Sequence, residues 1–252
     1  MEYLVFRLYG AMASWGEVSV GESRHSAHYP GKSAITGLLA AALGIERVQE
    51  ALQLELVNGY RQAVKVLSRG TLAKDYHTAQ APDSVGKFLY RTRRDELVVG
   101  RERLGTILSQ REYIADAQAL VAIKAMAQAH WPLEDLAQAL ARPKFHLYLG
   151  RKAFPLSAPT AAQRINADNF RGAFEGYQLP DLLNYHPERA RQPRWLPADA
   201  HSQYYWEGDI EEFSAEDEQF SAKAVQQLNR LDEPLSRKRW QFQPRLENYW
   251  QS

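Results

Sequence analysis

The strongest constraint in this chain is the way its hydrophobic period switches between two and 3.6 residues. Tyr3 to Leu8 alternates, with Leu4, Phe6 and Leu8 on one face, as a half-buried strand does. Ile35, Leu38, Leu39, Ala42 and Leu43 then recur at helical spacing, with Ser33 as N-cap and Gly44 just beyond the end. Arg61 to Leu67 reads as a second strand. Ala117 to Lys124, with Ala119, Val121 and Ile123 on one face, reads as a third. A helix follows: Pro132 stands in its first turn, Leu133, Leu136 and Leu140 form its apolar stripe, and Arg142-Pro143 ends it. Phe145 to Leu149 reads as a fourth strand. The order β-α-β-β-α-β predicts an α+β fold of the ferredoxin-like kind, the arrangement shared by RNA-recognition-motif domains.

A plain version of that arrangement joins its second and third strands by a tight turn. Here about 45 residues intervene, from Ser68 to Glu112, a length that marks functional or unstructured sequence. Within the insertion, Lys87 to Arg94 and Leu97 to Arg103 flank Asp95-Glu96, which predicts the two arms of an extended β-hairpin. After Pro159 the periodicity fades into a stretch with Trp195, Tyr204, Tyr205 and Trp206. Phe213 to Leu231 reads as a helix, and Arg237 to Arg245 is basic, with Trp240 and Phe242 interleaved. The predicted organisation is a domain over residues 1–158, carrying the insertion at about 68–112, and a smaller C-terminal region over 159–252.

The 252 residues suffice to bury a substantial core, and their formal net charge is only +1. The sum hides a polarised distribution. From Lys87 to Arg111 there are seven Lys or Arg against three acids, and Arg142 to Lys152 holds four with none; Glu207 to Glu218 holds seven acids and no Lys or Arg. Such a chain can present a basic face while remaining near neutral, although charge runs also serve simply as solvated faces. There is no cysteine, so a disulfide framework, a thiolate nucleophile and a cysteine-based zinc site are excluded. The N-terminus lacks the apolar core of a signal peptide, and no stretch approaches the ~20 apolar residues of a membrane span. A soluble cytoplasmic protein without a membrane partner is the expectation, and no spacing calls for a metal or another cofactor.

Several motifs offer chemistry. Pro30-Gly31-Lys32-Ser33 opens the first helix and sets a cation, a hydroxyl and free N–H groups where a phosphate would be stabilised; equally, Ser33 serves as a cap and Lys32 as a solvated charge. It is not a Walker A motif, because Ser26 stands where the first glycine is required. Arg91, Arg93 and Arg94, near Phe88 and Tyr90, combine guanidinium groups with aromatic faces as single-strand RNA binding does, or else manage an exposed strand edge. In Tyr148 to Lys152, Gly150 marks a backbone position needing freedom, followed by two cations. His25, His28, Lys74, Tyr76 and His77 supply the residue types of a metal-independent ribonuclease.

These motifs belong to a set. Trp15-Gly16, Gly37-Leu38-Leu39-Ala40-Ala41-Ala42-Leu43-Gly44, Asp75-Tyr76-His77-Thr78, Arg111-Glu112-Tyr113-Ile114-Ala115-Asp116-Ala117 and Leu147-Tyr148-Leu149-Gly150-Arg151-Lys152, followed by Pro155 and Pro159, resemble the CasD family. The matches run in that family's order from residue 3 to about 159. CasD is the subunit that caps the 5′ handle of guide RNA in the type I-E CRISPR surveillance complex, Cascade. The resemblance implies a non-catalytic, crRNA-binding role in antiviral defence. The inserted hairpin becomes a thumb set against the CasC backbone subunit, with the CasA large subunit as neighbour and target DNA met only through the complex. It also implies an RNA-contacting set: Arg24, His25, Lys32, Ser33, Lys87, Arg91, Arg93, Arg94, Arg101, Arg111, Lys144, Tyr148, Arg151 and Lys152. Two other classes stand beside it. One is a metal-independent endoribonuclease that processes repeat RNA, as a type I-C relative does, whereas in type I-E systems CasE cuts. The other is a protein-only scaffold.

Overall fold

A computed structural model describes residues 1–19, 21–83, 89–98, 101–180 and 199–252. In chain order the elements are β1 (Glu2–Tyr9), the two-residue strands β2 (Met12–Ala13), β3 (Trp15–Gly16), β4 (Ser23–Arg24) and β5 (Ser26–Ala27), then α1 (Lys32–Leu43), α2 (Glu50–Gly59) and β6 (Tyr60–Ser68). There follow β7 (Thr71–Pro82), α3 (Arg93–Leu97), β8 (Leu104–Ala115), β9 (Gln118–Ala125) and α4 (Leu133–Ala141). The chain closes with β10 (Gln163–Asn166), α5 (Phe170–Gly176), β11 (Gln203–Trp206), β12 (Gln226–Ser236) and β13 (Gln241–Gln251).

A mixed α/β architecture is built on one seven-stranded sheet in the order β10-β1-β9-β6-β11-β13-β12, each neighbouring pair antiparallel. The period-two pattern decides which side chains go under which helices. Leu4, Phe6 and Leu8 of β1, with Val121 and Ile123 of β9, lie beneath Ile35, Leu38 and Leu39 of α1 and the Leu133, Leu136 and Leu140 stripe of α4. Tyr3, Val5, Leu120 and Ala122 point the other way into an aromatic layer of Phe170, Phe174, Tyr204, Trp206, Phe213, Phe220 and Trp250. The first strand is therefore buried on both faces rather than half-buried, because the C-terminal residues cover its second face. Arg7 points into that side at only 3 % exposure and donates to the carbonyls of Pro180 (2.7 Å) and Pro159 (3.3 Å). The sheet continues through the division expected at 158/159, since β10 and β11 to β13 join the strands before it.

Several expectations are corrected. The N-cap of α1 is Gly31, not Ser33: its carbonyl accepts from Ala34 and Ile35 (both 3.1 Å). Gly44 does end the helix, with φ 78° and its N–H on the Ala41 carbonyl. Phe145 to Leu149 is not a strand. Its alternation is real, since Leu147 and Leu149 reach the core, but its backbone bonds go elsewhere: Phe145 N–H to Ala41 O, and Leu149 O to Ser14 N–H. The strand beside β1 is β10, whose Gln-Arg-Ile-Asn sequence carries little apolar signal. The segment 213–231 is not a helix. The Asp217 carboxylate accepts from the N–H groups of Gln219 and Phe220, a local turn that competes with helix, and Phe213 and Phe220 plug the aromatic layer.

The hairpin of the insertion exists, with different arms. Its strands are β7 and β8, paired residue for residue from Thr71↔Ala115 to Pro82↔Leu104. Asp95-Glu96 is not a turn but part of α3, a one-and-a-half-turn helix whose Thr92 side chain accepts from Asp95 N–H while the Asp95 carboxylate accepts from Thr92 N–H. Among the described residues, no helix is long and apolar enough to cross a membrane.

Candidate nucleic-acid interface

Six of the fourteen expected site residues fall within the β7–β8 insertion, and the register of the hairpin sorts its strand residues by face. Asp75 lies opposite Arg111 and His77 opposite Ser109, while Lys74 lies opposite Glu112 and Tyr76 opposite Gln110. The short parallel pairing of β4 with β8 puts Arg24 beside Arg111. Arg24 is exposed and steadied by its own loop, donating to Gly21 O (2.6 Å) and Ser23 O (3.2 Å). On the other face His25 Nδ1 (3.3 Å) and Lys74 Nζ (3.2 Å) meet the Glu112 carboxylate. Burial works to raise the Glu112 pKa, but hydrogen bonds from Lys74, the Ser26 N–H and His25 hold it below the ordinary carboxylate value.

At the far end of the hairpin, Arg91 and Arg94 are exposed. Arg93 is tied down: its guanidinium donates to Glu96 (2.5 Å) and to the Gln80 carbonyl (2.6 Å), fixing α3 onto β7. Lys87 and the side chain of Arg101 lie outside the described residues; the Arg101 backbone opens a single 3₁₀ turn, Arg101–Arg103. At the near end, Arg151 sits over the Tyr113 ring (5.0 Å), which meets Phe154 edge-on. Gly150, at φ 83°, presses against the Ser14 carbonyl, so that a Cβ there would overlap it. This contact seats the exposed Lys152 loop at the hairpin base, confirming the freedom expected of Gly150. Lys144 is exposed, its aliphatic stem lying over Gly44.

Lys32 is placed elsewhere, which corrects its expected contact with RNA. Its ammonium is buried between Glu233 (2.9 Å) and Glu207 (3.2 Å). The anion at the start of α1 is supplied internally as well: Asp232 accepts from the Lys32 N–H (2.8 Å) and from the Arg245 guanidinium (2.7 and 3.0 Å). A Cβ on Gly31 would overlap that carboxylate. Burial pushes the Glu207 carboxyl up, against the opposing charges of Lys32 and Arg245. Ser33 and Tyr148 are half-buried and line a separate cleft of about 710 Å³ between α1, residues 145–150 and the turn joining β12 to β13.

The ribonuclease residue types are divided by this geometry. His25, Lys74 and Tyr76 share one face of the hairpin, and His77 projects from the other, because alternate residues of a strand point in opposite directions. The structure also brings forward residues absent from the expected set: Arg47, Arg237 and Trp240 at the cleft. For Arg237 and Trp240 the sequence signal is the basic, aromatic run from Arg237 to Arg245, which does not include Arg47.

Residues 3–246 match the model of a family described as CRISPR-associated protein (Cas_Cas5). The chain belongs to this family. It is 30 % identical over 193 residues to the CRISPR system Cascade subunit CasD of Escherichia coli (strain K12), a match covering 73 % of this chain and 77 % of the relative. Among solved structures, a chain of a CRISPR RNA-guided surveillance complex superposes with a TM-score of 0.63 at 25 % identity, over 99 % of this chain and 89 % of the other. A crystal structure of a Cas protein superposes at 0.56 and 24 % identity, covering 99 % and 94 %, and shares the fold.

Proposed function

We propose that this chain is a non-catalytic subunit of a type I-E Cascade complex in the cytoplasm, holding the 5′ handle of crRNA on its inserted hairpin and the adjoining basic loop. The observation that carries the reading is the β7–β8 hairpin: two fully paired twelve-residue strands with Arg24 and Arg111 aligned at one end and Arg91 and Arg94 exposed at the other. Guanidinium groups without internal carboxylate partners are the ones free to neutralise phosphates. The strand order β10-β1-β9-β6 with α1 and α4 together on one face supports reading that part as ferredoxin-like. Exposed Leu72, Tyr76 and Ile107 on the hairpin suit packing against a CasC backbone subunit, with CasA as the large neighbour. Target sequence would then be read by the guide, not by this chain.

The test is retention of end-labelled CRISPR repeat RNA by the full chain across a salt series in EDTA. The triple change Arg91→Glu, Arg94→Glu and Arg111→Glu should weaken binding at every salt concentration and flatten the salt dependence by roughly one unit per lost phosphate contact. Unchanged binding would remove the hairpin from the interface. His25 and Lys74 on Glu112 beside Tyr76 are the groups a ribonuclease reading would need, so RNA cleaved in EDTA and spared by His25→Ala would establish that reading instead.

A further inference from the structure

The 710 Å³ cleft carries a feature that internal packing does not account for. Trp240, in the turn between β12 and β13, is 55 % exposed and holds φ 54°, the left-handed region that a bulky side chain adopts only where its surroundings impose it. Two guanidinium groups lie over its ring, Arg47 with Cζ 4.5 Å from the centroid and Arg237 at 5.2 Å. Arg237 is packed against α1 so closely that a Cβ on Gly37 would come within 3.2 Å of its Nη2.

The electrostatics of this group are incomplete. Burial lowers the Arg237 pKa, the like charge of Arg47 lowers it further, and the Tyr148 phenol is the group that works the other way. Among the described residues, no carboxylate pairs with Arg47 or Arg237. Two acids on the cleft wall are already used: Glu17 holds Arg230 (2.9 Å), and Asp232 holds Arg245. Glu46, the third, is exposed to solvent. Two like charges gathered on one indole, one of them largely desolvated, lack the anion that would balance them. Phe145, His146, Tyr148 and Phe242 add aromatic rings to a wall whose remainder is mainly small and aliphatic, with Leu38, Ile45 and Leu147 among it.

We infer that this cleft takes one unstacked nucleotide of single-stranded RNA, its base on the Trp240 ring and its phosphate between Arg237 and Arg47. An exposed flat ring answers a base, and an uncompensated guanidinium pair answers a phosphate; a nucleotide is the ligand that carries both. The volume falls within the range of small-ligand sites. Where Pro30 to Ser33 failed as a phosphate site because Asp232 fills it, the Trp240 turn leaves its cations open. The inference rests on the RNA-binding reading above and gives it a second anchor, away from the hairpin.

The experiment compares the full-length chain with Trp240→Ala, Trp240→Phe and Arg237→Gln, each checked by thermal melting, in binding the same end-labelled repeat RNA. Trp240→Ala should weaken binding about tenfold, in line with the loss of one base–aromatic stack, and Trp240→Phe should retain most of it. Arg237→Gln should lower affinity and reduce the salt slope by about one unit. If these variants bind like the parent while the hairpin triple change weakens binding, the cleft inference is wrong and the proposed function stands. If the parent chain itself fails to retain the RNA, both are overturned.

Discussion

Two long antiparallel hairpins of this protein are both rich in arginine and use it in opposite ways. In β7–β8, Arg111 lies opposite Asp75 across the strands and Arg24 runs beside it, while Arg91 and Arg94 at the tip stay exposed. In β12–β13 the cations are drawn inward. Arg245, 7 % exposed in its side chain, meets Asp232 (2.7 Å) and Glu247 (2.5 Å), and Arg230 reaches Glu17 (2.9 Å). Burial works against the Arg245 charge, and hydrogen bonding to Asp232 with the charges of Glu247, Asp232 and Glu207 more than offsets it. The difference lies in position, not composition. The second hairpin completes the central sheet and closes over the start of α1, so its carboxylates meet cations in fixed register; the first hairpin stands off the sheet, and while Lys74 and Arg93 find local carboxylates, Arg91 and Arg94 face solvent. Only the turn of the second hairpin, with Arg237 and Trp240, behaves like the first.

That contrast is broken most severely at Arg245. Arg245→Met should strand the buried carboxylates of Glu207 and Glu247 and cost about 3–5 kcal/mol, the usual penalty for removing one member of a buried pair. At this chain length that corresponds to roughly 6–20 °C in a reversible thermal melt. A melt shifted by less than a degree or two would mean that the network contributes nothing net. Next in size is Gly31→Ala, which sets a methyl group against the Asp232 carboxylate and should cost about 1–3 kcal/mol by overpacking. Urea unfolding of that variant measures it, and an unchanged midpoint would show that the hairpin docks more loosely on α1.

On the other hairpin the same chemistry should leave folding almost untouched. Arg91→Glu with Arg94→Glu should alter stability by no more than about 0.5 kcal/mol, as exposed substitutions do, while RNA retention falls. A large loss of stability there would make those arginines structural. The smallest effect concerns acid. The Glu112 carboxyl has its folded pKa below the ordinary value of 4.5, so its contribution is present above that value and lost as pH falls through the folded one. Thermal melts at pH 7 and at a pH well below the ordinary carboxylate value should therefore show parent and Glu112→Gln separated at the higher pH and converging at the lower. A gap that widens on acidification would contradict the assigned contacts with Lys74 and His25.

The central strands and the helices α1 and α4 were legible in the sequence because their apolar period is strong and their ends carry local signals: Gly44 at one, Pro132 and Arg142-Pro143 at the other. The hairpin was legible as an insertion, but its arms were not. Thr71 to Pro82 is largely exposed on both faces and so shows no alternation. Phe145 to Leu149 shows true alternation without a strand partner, and β10 pairs with β1 on four residues, of which only Ile165 is apolar. Lys32 misled for a different reason. The carboxylates that bury it lie 175 and 201 residues away in sequence, and no local pattern announces them. Phosphate-site chemistry at a helix start is indistinguishable in sequence from a site the protein fills with its own aspartate.

The central claim is that this chain holds CRISPR RNA without cutting it, and a single sample tests both halves. Full-length protein mixed with end-labelled repeat RNA in EDTA should give a retarded band on a native gel and full-length RNA on a denaturing one. RNA that migrates free, or RNA cut at one position, would contradict the account.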